Sequence, residues 1–234
     1  MDIVSGNFDF NFVGHRPFIH RDSSGMKPWL ESLDYLRDNC SQKILSCSSD
    51  SYITDACRSL KCEDFFLDSG IAQESDLYIS HVFHQNGRTL DFDLETIIPT
   101  PECLNKNIVQ RFRIKRFVAG PKGTGTALHQ HSRAYFYNIV GVKRWFLAKP
   151  SQENNNSLAS FSYDVNNKSI HSISEWFNVY APKLSVQLQD SFLFDLHAGD
   201  SLFIPDGYHH AVLNLTSTVG VAFSWESKFQ HAPN

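Results

Sequence analysis

From Asn107 to Trp225 the chain is cut into short β-type runs by turn residues, and this pattern limits the fold more than any other feature. Ile108–Ala119 is a long strand candidate. Gly120-Pro121-Lys122-Gly123-Thr124-Gly125 is a turn-rich break. Ala127–Leu147 then alternates, with a bend near Gly141. Phe192–Phe194, Ser201–Pro205 and Ala211–Trp225 complete the set, joined by turns such as Gly199-Asp200 and Asp206-Gly207. Many short strands, with a few helical patterns before them, predict a mainly β, closed or double-sheet architecture. The 19 phenylalanines fit a β-rich core.

The N-terminal part is mixed. Arg16–Arg21 reads as a short strand and Gln42–Cys47 as another. Lys27–Asn39 places Trp29, Leu30, Leu33 and Leu36 at helical spacing, and Ser59–Ser69 reads as a second helix. The stretch 150–184, which opens on the polar run Ser151–Asn156, reads as an insertion between two β-rich blocks. In it, Trp176, Phe177 and Tyr180 suit a short helix that packs back on the body. The 234 residues are expected to form a single domain, 1–234.

Composition excludes some functions. The net charge of −4 argues against a nonspecific binder of nucleic acid or membrane surfaces. Five cysteines, an odd number without a CxxC, read as reduced thiols in a cytoplasmic protein. No apolar run of signal-peptide length opens the chain, and none approaches a membrane span.

The sharpest chemical feature is His129-Gln130-His131. Residues i and i+2 of a strand share a face, so the two imidazoles can hold one metal ion. A third ligand is offered further on in Pro205-Asp206-Gly207-Tyr208-His209-His210, and periodicity alone does not choose between His209 and His210. In Gly141–Leu147, alternation puts Lys143 on one face with Trp145 and Leu147, and Arg144 on the other with Val142 and Phe146. One of the two cations therefore faces an apolar interior, where it needs an anionic partner such as a bound carboxylate. His81 and His84, spaced as on one helix face, read as surface or structural histidines, and His197 as a turn residue. His209 reads as a residue of the pocket, or one that backs the ligands, and not as a ligand itself. No nucleophile elbow, P-loop or GxGxxG is present.

Three segments together resemble the JmjC/cupin-8 superfamily, in the style of small hydroxylases like factor inhibiting HIF. They are Thr124–His131, Gly141–Leu147 and Ala198–Asn214, and Arg16-Pro17-Phe18-Ile19 resembles the family's start. The likeness spans roughly 16–228. It implies a double-stranded β-helix, or jelly roll, with N-terminal helices and the insertion near 150–184. It also implies an Fe(II) site at the barrel mouth and 2-oxoglutarate as cosubstrate. The family's HxD/E…H triad maps its first ligand onto His129 and its last onto His210. Its 2-oxoglutarate lysine falls on Lys143 and its threonine on Thr126. Ser224 sits where several relatives carry Asn, and is a further cofactor-binding candidate. Phe136 lies near a position that is polar in some relatives. The departure is His131, in the carboxylate position. A three-His face resembles cysteine-dioxygenase-type cupins. It leaves the metal site one charge unit more positive, which favours anion binding.

Three readings follow. The first is an Fe(II)- and 2-oxoglutarate-dependent oxygenase with His129, His131 and His210 on the metal. The second is a three-His oxygenase whose substrate chelates the metal without 2-oxoglutarate, with Lys143 on a substrate carboxylate. The third is a non-catalytic binding module holding Zn(II) or Ni(II). The chain stops soon after the last strand, at Glu226–Asn234, without the C-terminal helices that some protein-modifying relatives use to dimerise. A small molecule or peptide side chain is therefore the expected substrate, with selectivity set by the loops of 150–184 and 81–100.

Overall fold

In the computed structural model the described residues are 2–5, 16–21, 44–49, 58–61, 66–67, 70–71, 77–91, 112–161 and 172–225. Among them the turn residues fall where the strands end. The N-terminal strands are β1 (Asp2–Ser5), β2 (Phe18–Arg21), β3 (Ile44–Ser49), β4 (Arg58–Lys61), β5 (Phe66–Leu67), β6 (Gly70–Ile71), β7 (Leu77–Gln85) and β8 (Arg88–Thr89). Next come β9 (Ile114–Gly120), β10 (Gly125–His129), β11 (Ala134–Val140) and β12 (Lys143–Ala148). Helices α1 (Gln152–Leu158), α2 (Ile173–Val179) and α3 (Ala181–Gln187) follow, and then β13 (Ser191–Leu196), β14 (Asp200–Ile204), β15 (His209–Asn214) and β16 (Thr218–Ser224).

Two sheets carry the architecture. The larger runs β1-β2-β14-β11-β16-β9-β7-β3-β4, with β8 paired to β7, and the smaller runs β10-β15-β12-β13. Strands β14, β11, β16 and β9 pair antiparallel with one another, as do all four strands of the smaller sheet. From β9 to β16 successive strands alternate between the sheets, apart from the β12–β13 pair within the smaller one, which is a jelly-roll arrangement.

Alternation along β12 builds two cores. Trp145 and Leu147 point between the sheets and pack with Phe136, Val118, Ile204 and Val212. Phe146 and Ala148 point outward, where the insertion covers them. Helix α2 starts on Ser172, whose Oγ accepts from the backbone N of Glu175, a serine cap with an acid in the first turn. Its Trp176 and Phe177, with Leu184 and Leu188 from the next helical turns, close over Phe146, Leu128 and Ala211. Burying each large apolar side chain contributes about 1.5–3 kcal/mol. The insertion is therefore the lid of the outer core.

The observed elements correct several expectations. Ser59–Ser69 is not a helix where it is described: Arg58–Lys61 pairs antiparallel with β3, and Phe66–Leu67 with β6. Sheet pairing overrides the helical spacing of so short a run. His81 and His84 lie on strand β7, so residues 81–89 form a hairpin and not a mouth loop. The strand expected at Ile108–Ala119 begins at Ile114, and 108–111 lie outside the described residues. Ala211–Trp225 is two strands, separated at 215–217. The helix expected over Lys27–Asn39 lies outside the described residues. No helix among the described residues is long and apolar enough to cross a membrane.

Candidate metal centre

Strands β10 and β15 bring the first and last histidines together. His129 and His210 are directly paired across the two strands. The ladder between β10 and β15 carries a register irregularity between Thr126 and His129. On a regular strand, residues three apart face opposite sides. The extra residue of the bulge resets the alternation, and Thr126 and His129 both line the same cavity. His131 follows in the loop that ends β10. Its carbonyl accepts from the backbone N of Gly207 at 2.9 Å. The same loops are joined by Arg133, which donates from its backbone N and its guanidinium to the Asp206 carboxylate.

Each imidazole is oriented by a carbonyl at its Nδ1. His129 Nδ1 lies 2.7 Å from Ala127 O, His131 Nδ1 2.5 Å from Ser132 O, and His210 Nδ1 2.9 Å from Tyr208 O. A carbonyl oxygen only accepts, so each Nδ1 carries the proton and each Nε2 presents a lone pair. The Nε2 atoms of His131 and His210 are 3.1 Å apart. One ligand atom from each of the three histidines lies within 4.8 Å of the others. Burial, and then the neighbouring imidazoles, hold His129 down at about 3 and His210 well below the usual histidine range. Burial lowers His131 as well. Three neutral imidazoles with converging lone pairs can hold one metal ion, and this donor set fits iron(II).

Lys143 closes the deep end of the cavity. It opens β12 opposite Asn214 and is fully buried. Its Nζ donates to Asn214 Oδ1 at 2.8 Å and sits 5.4 Å from the ring centres of Tyr78 and Phe136. Asn214 in turn donates from Nδ2 to Thr124 Oγ1 at 3.0 Å. Burial drives the Lys143 ammonium down to about 7. Arg144 faces away and pairs with Asp195. The cavity, about 200 Å³, is lined by the three histidines, Lys143, Thr126, Ser224 and Phe136, and among the described residues no acid lines it.

His129, His131, His210, Lys143, Thr126 and Ser224 are therefore brought together. Others are not. His209 alternates to the opposite face, where its Nε2 lies 2.7 Å from Asn155 Oδ1 of α1, so it is not a pocket residue. His81 sits 3.5 Å from Asp91, away from the cavity. His197 is exposed at the turn into β14, as expected.

Sequence reasoning missed five polar residues of this region, one of them Ser132, next to His131. Tyr78 and Ser80 come from β7, Arg116 from β9, and Asn214 from the end of β15. Tyr78 is hydrogen-bonded to Thr126, and burial pushes its phenol up to about 12. The Arg116 signal was available: Ile114, Arg116 and Val118 share one face by alternation. No pattern in the chain pointed to Tyr78.

Known proteins give a consistent picture. The sequence matches the cupin-like domain over residues 19–231. It is 31% identical over 118 residues to 2-oxoglutarate and iron-dependent oxygenase JMJD4 of Gallus gallus, covering 47% of this chain and 26% of that protein. It is 26% identical over 156 residues to JMJD4 of Homo sapiens, covering 61% of this chain and 36% of that protein. The Arabidopsis thaliana protein named arginine-specific demethylase JMJ20 is 31% identical over 116 residues, which cover 47% of this chain and 23% of that protein. The chain thus spans 23% to 36% of the length of these three relatives in the matched regions. A two-sheet jelly roll and a match over 19–231 lead to one conclusion: this chain belongs to the cupin-like domain family.

Proposed function

We propose that residues 1–234 form one cupin-like domain that acts as a non-haem Fe(II)- and 2-oxoglutarate-dependent oxygenase. The observation that carries this reading is a buried lysine, Lys143, at the end of a cavity whose other wall is a face of three neutral histidines. Relatives named as 2-oxoglutarate and iron-dependent oxygenases support it.

His129, His131 and His210 hold the metal through Nε2. Bound there, iron(II) supplies the redox chemistry that couples decarboxylation of the 2-oxo acid to oxidation of a substrate C–H bond. Lys143 receives the distal carboxylate, helped by Thr126 and by the Tyr78 hydroxyl that Thr126 orients. Asn214 holds the Lys143 ammonium in place, and its own amide is anchored on Thr124. A bound carboxylate restores the charge of Lys143, because a neighbouring anion favours the ammonium. Phe136 and Trp145 line the cavity and keep water from this pair, which strengthens it. Ser224 stands at the edge of β16 opposite Ala134, within reach of what enters the mouth. The substrate is a small molecule or a peptide side chain. The arginine demethylase named among the relatives supports including the latter.

His131 favours a second reading. With imidazole where relatives of this type carry a carboxylate, a substrate can chelate the metal with no 2-oxoglutarate, and Lys143 then pairs with the substrate's own carboxylate. Anaerobic addition of Fe(II) and then 2-oxoglutarate separates the two. A weak metal-to-ligand charge-transfer band that appears only with 2-oxoglutarate is the expected result. Iron binding with no band would move the second reading ahead, and no iron binding would sink both.

A further inference from the structure

Two cations line the cavity, one from each sheet: Lys143 on β12 and Arg116 on β9. The reading above uses only the first. Arg116 pairs with Ala222 on one side and Val82 on the other, so it is set in the middle of the large sheet. Its charge acts on the histidine face, where it helps to lower both His129 and His131. Nη1 donates to Ser80 Oγ at 2.9 Å, and no described carboxylate pairs with the guanidinium. It is half-buried, and no described acid lines the same cavity.

This is a costly arrangement to keep without an anion. A guanidinium stays charged at any working pH, and partly burying it without a partner is unfavourable. Its planar fork offers five donors, matched to two oxygens of a carboxylate or phosphate, and the serine takes one. The metal face adds to the imbalance. Three imidazoles bring no negative charge, so a divalent ion, Lys143 and Arg116 together exceed the charge of a dianionic cosubstrate.

We propose that Arg116 is the specificity-determining residue for an oxyanion on the substrate, so that the substrate class is a small molecule or side chain bearing a carboxylate or phosphate. This rests on the oxygenase reading, in which Lys143 is occupied by the cosubstrate. It narrows that reading to acidic substrates. Lys143 is held by Asn214 on the smaller sheet, whereas Arg116 comes from the larger sheet, near Tyr78 and near enough to His129 and His131 to lower both, so its fork faces the space next to the metal ligands.

The test is a titration without oxygen of the full chain loaded with Fe(II) and 2-oxoglutarate. The probes are aspartate, glutamate and phosphoserine, each against its neutral counterpart asparagine, glutamine or serine. Two readouts are followed: the visible charge-transfer band, and the fluorescence of Trp145 and Trp225, which line the cavity. At least one acidic probe is expected to bind about tenfold or more tightly than its neutral counterpart, the gain of a charge-assisted pair. Arg116→Gln should abolish that preference, and Arg116→Lys should keep part of it and show that the fold survives at this position. Carboxylate and phosphate probes tell the two anion chemistries apart. The proposal is overturned if acidic and neutral probes behave alike, if no acidic probe binds, or if the preference persists in Arg116→Gln. It is also overturned if Arg116→Gln raises the 2-oxoglutarate concentration needed for the band as Lys143→Met does, since the arginine would then serve the cosubstrate. If 2-oxoglutarate gives no band at all, the oxygenase reading fails separately, and the fluorescence arm on the Fe(II)-loaded chain still reports on Arg116.

Discussion

His131 and His210, 79 residues apart in sequence, point their Nε2 atoms at each other across 3.1 Å, and each has its Nδ1 proton committed to a carbonyl. Two lone pairs that face each other at this distance repel unless a cation lies beside them. The geometry is therefore made for a metal ion, and its removal should be felt at once. His131→Ala is expected to weaken Fe(II) binding by at least about 100-fold, since even outer partners of a metal ligand are worth 10–100-fold. His131→Asp should keep the iron and bind 2-oxoglutarate several-fold more weakly, because it adds a negative charge. Fe(II) titration followed by the charge-transfer band reads both, and unchanged iron affinity in His131→Ala would remove this residue from the site.

Lys143 gives a pH dependence with a definite sign. Its ammonium titrates at 10.5 when unfolded and at about 7 when buried in the fold. The unfolded chain binds the extra proton between these values, so stability rises with pH across that window. The penalty is complete below about pH 7 and fades towards pH 10.5. Lys143→Met should therefore stabilise the metal-free protein at pH 6.5. At about 2–4 °C per kcal/mol for a chain of this size, the gain in Tm should be roughly 5 °C or more. The gap should shrink by pH 10. A gap that grows with pH would contradict the burial of a depressed lysine.

The Arg133–Asp206 clasp ties the two loops that present His131 and Tyr208. Both side chains are part-exposed, at 45% and 38%, so the pair itself contributes no more than about 1 kcal/mol to stability. Asp206→Ala should lower Tm by only a few degrees and weaken Fe(II) binding about tenfold, because the clasp positions a ligand loop. Equal iron affinity in the two proteins would limit the clasp to the surface.

Gly125 touches β15 so closely that a Cβ would lie 1.9 Å from Val212 O. The contact is backbone and cannot swing away. Gly125→Ala should cost about 3 kcal/mol, or fail to fold, and in folded material it should separate Thr126 from the cavity. Urea unfolding and the 2-oxoglutarate titration check the two halves of this expectation.

Legibility of the sequence followed the regularity of the strands. Strict alternation put Lys143 and Arg144 on opposite faces, and β12 is a regular strand; that Lys143 is the inward one came from the family resemblance. The two histidines of HxH do converge, but not as i and i+2 of one strand, because β10 ends at His129 and His131 lies in the loop that follows. The same rule fails at bulges. Thr126 and His129 face one cavity only because the ladder slips between them, so their partnership was reachable through family resemblance and not through spacing. His81 and His84 read as structural and lie outside the cavity lining; only the helical setting that their spacing suggests is wrong, since both lie on β7, whose ladder to β9 slips between Val82 and His84. His210 and His209 could not be separated by period alone, because the choice depends on which face of β15 the second sheet covers. Tyr78 enters from β7, far before the histidine motifs, and Arg116 from β9, close before them in sequence but in the other sheet; only the tertiary order β16-β9-β7 brings both over the site.

The position of β15 in the smaller sheet has a kinetic consequence. It is inserted between β10 and β12, so the strand that follows the insertion and the β13–β14 turn must thread back between two strands made long before it. Closing a loop of this length loses chain entropy before any contact compensates for it. The β12–β13 pair closes over residues 149–190, a shorter connection than either of those that β15 has to close to β12 and β10. The three histidines meet only when β15 is seated. Metal then stabilises the finished barrel by mass action and acts chiefly by slowing unfolding, with little effect on the rate at which the barrel first closes. The metal face is thus a latch on the completed fold and not its nucleus.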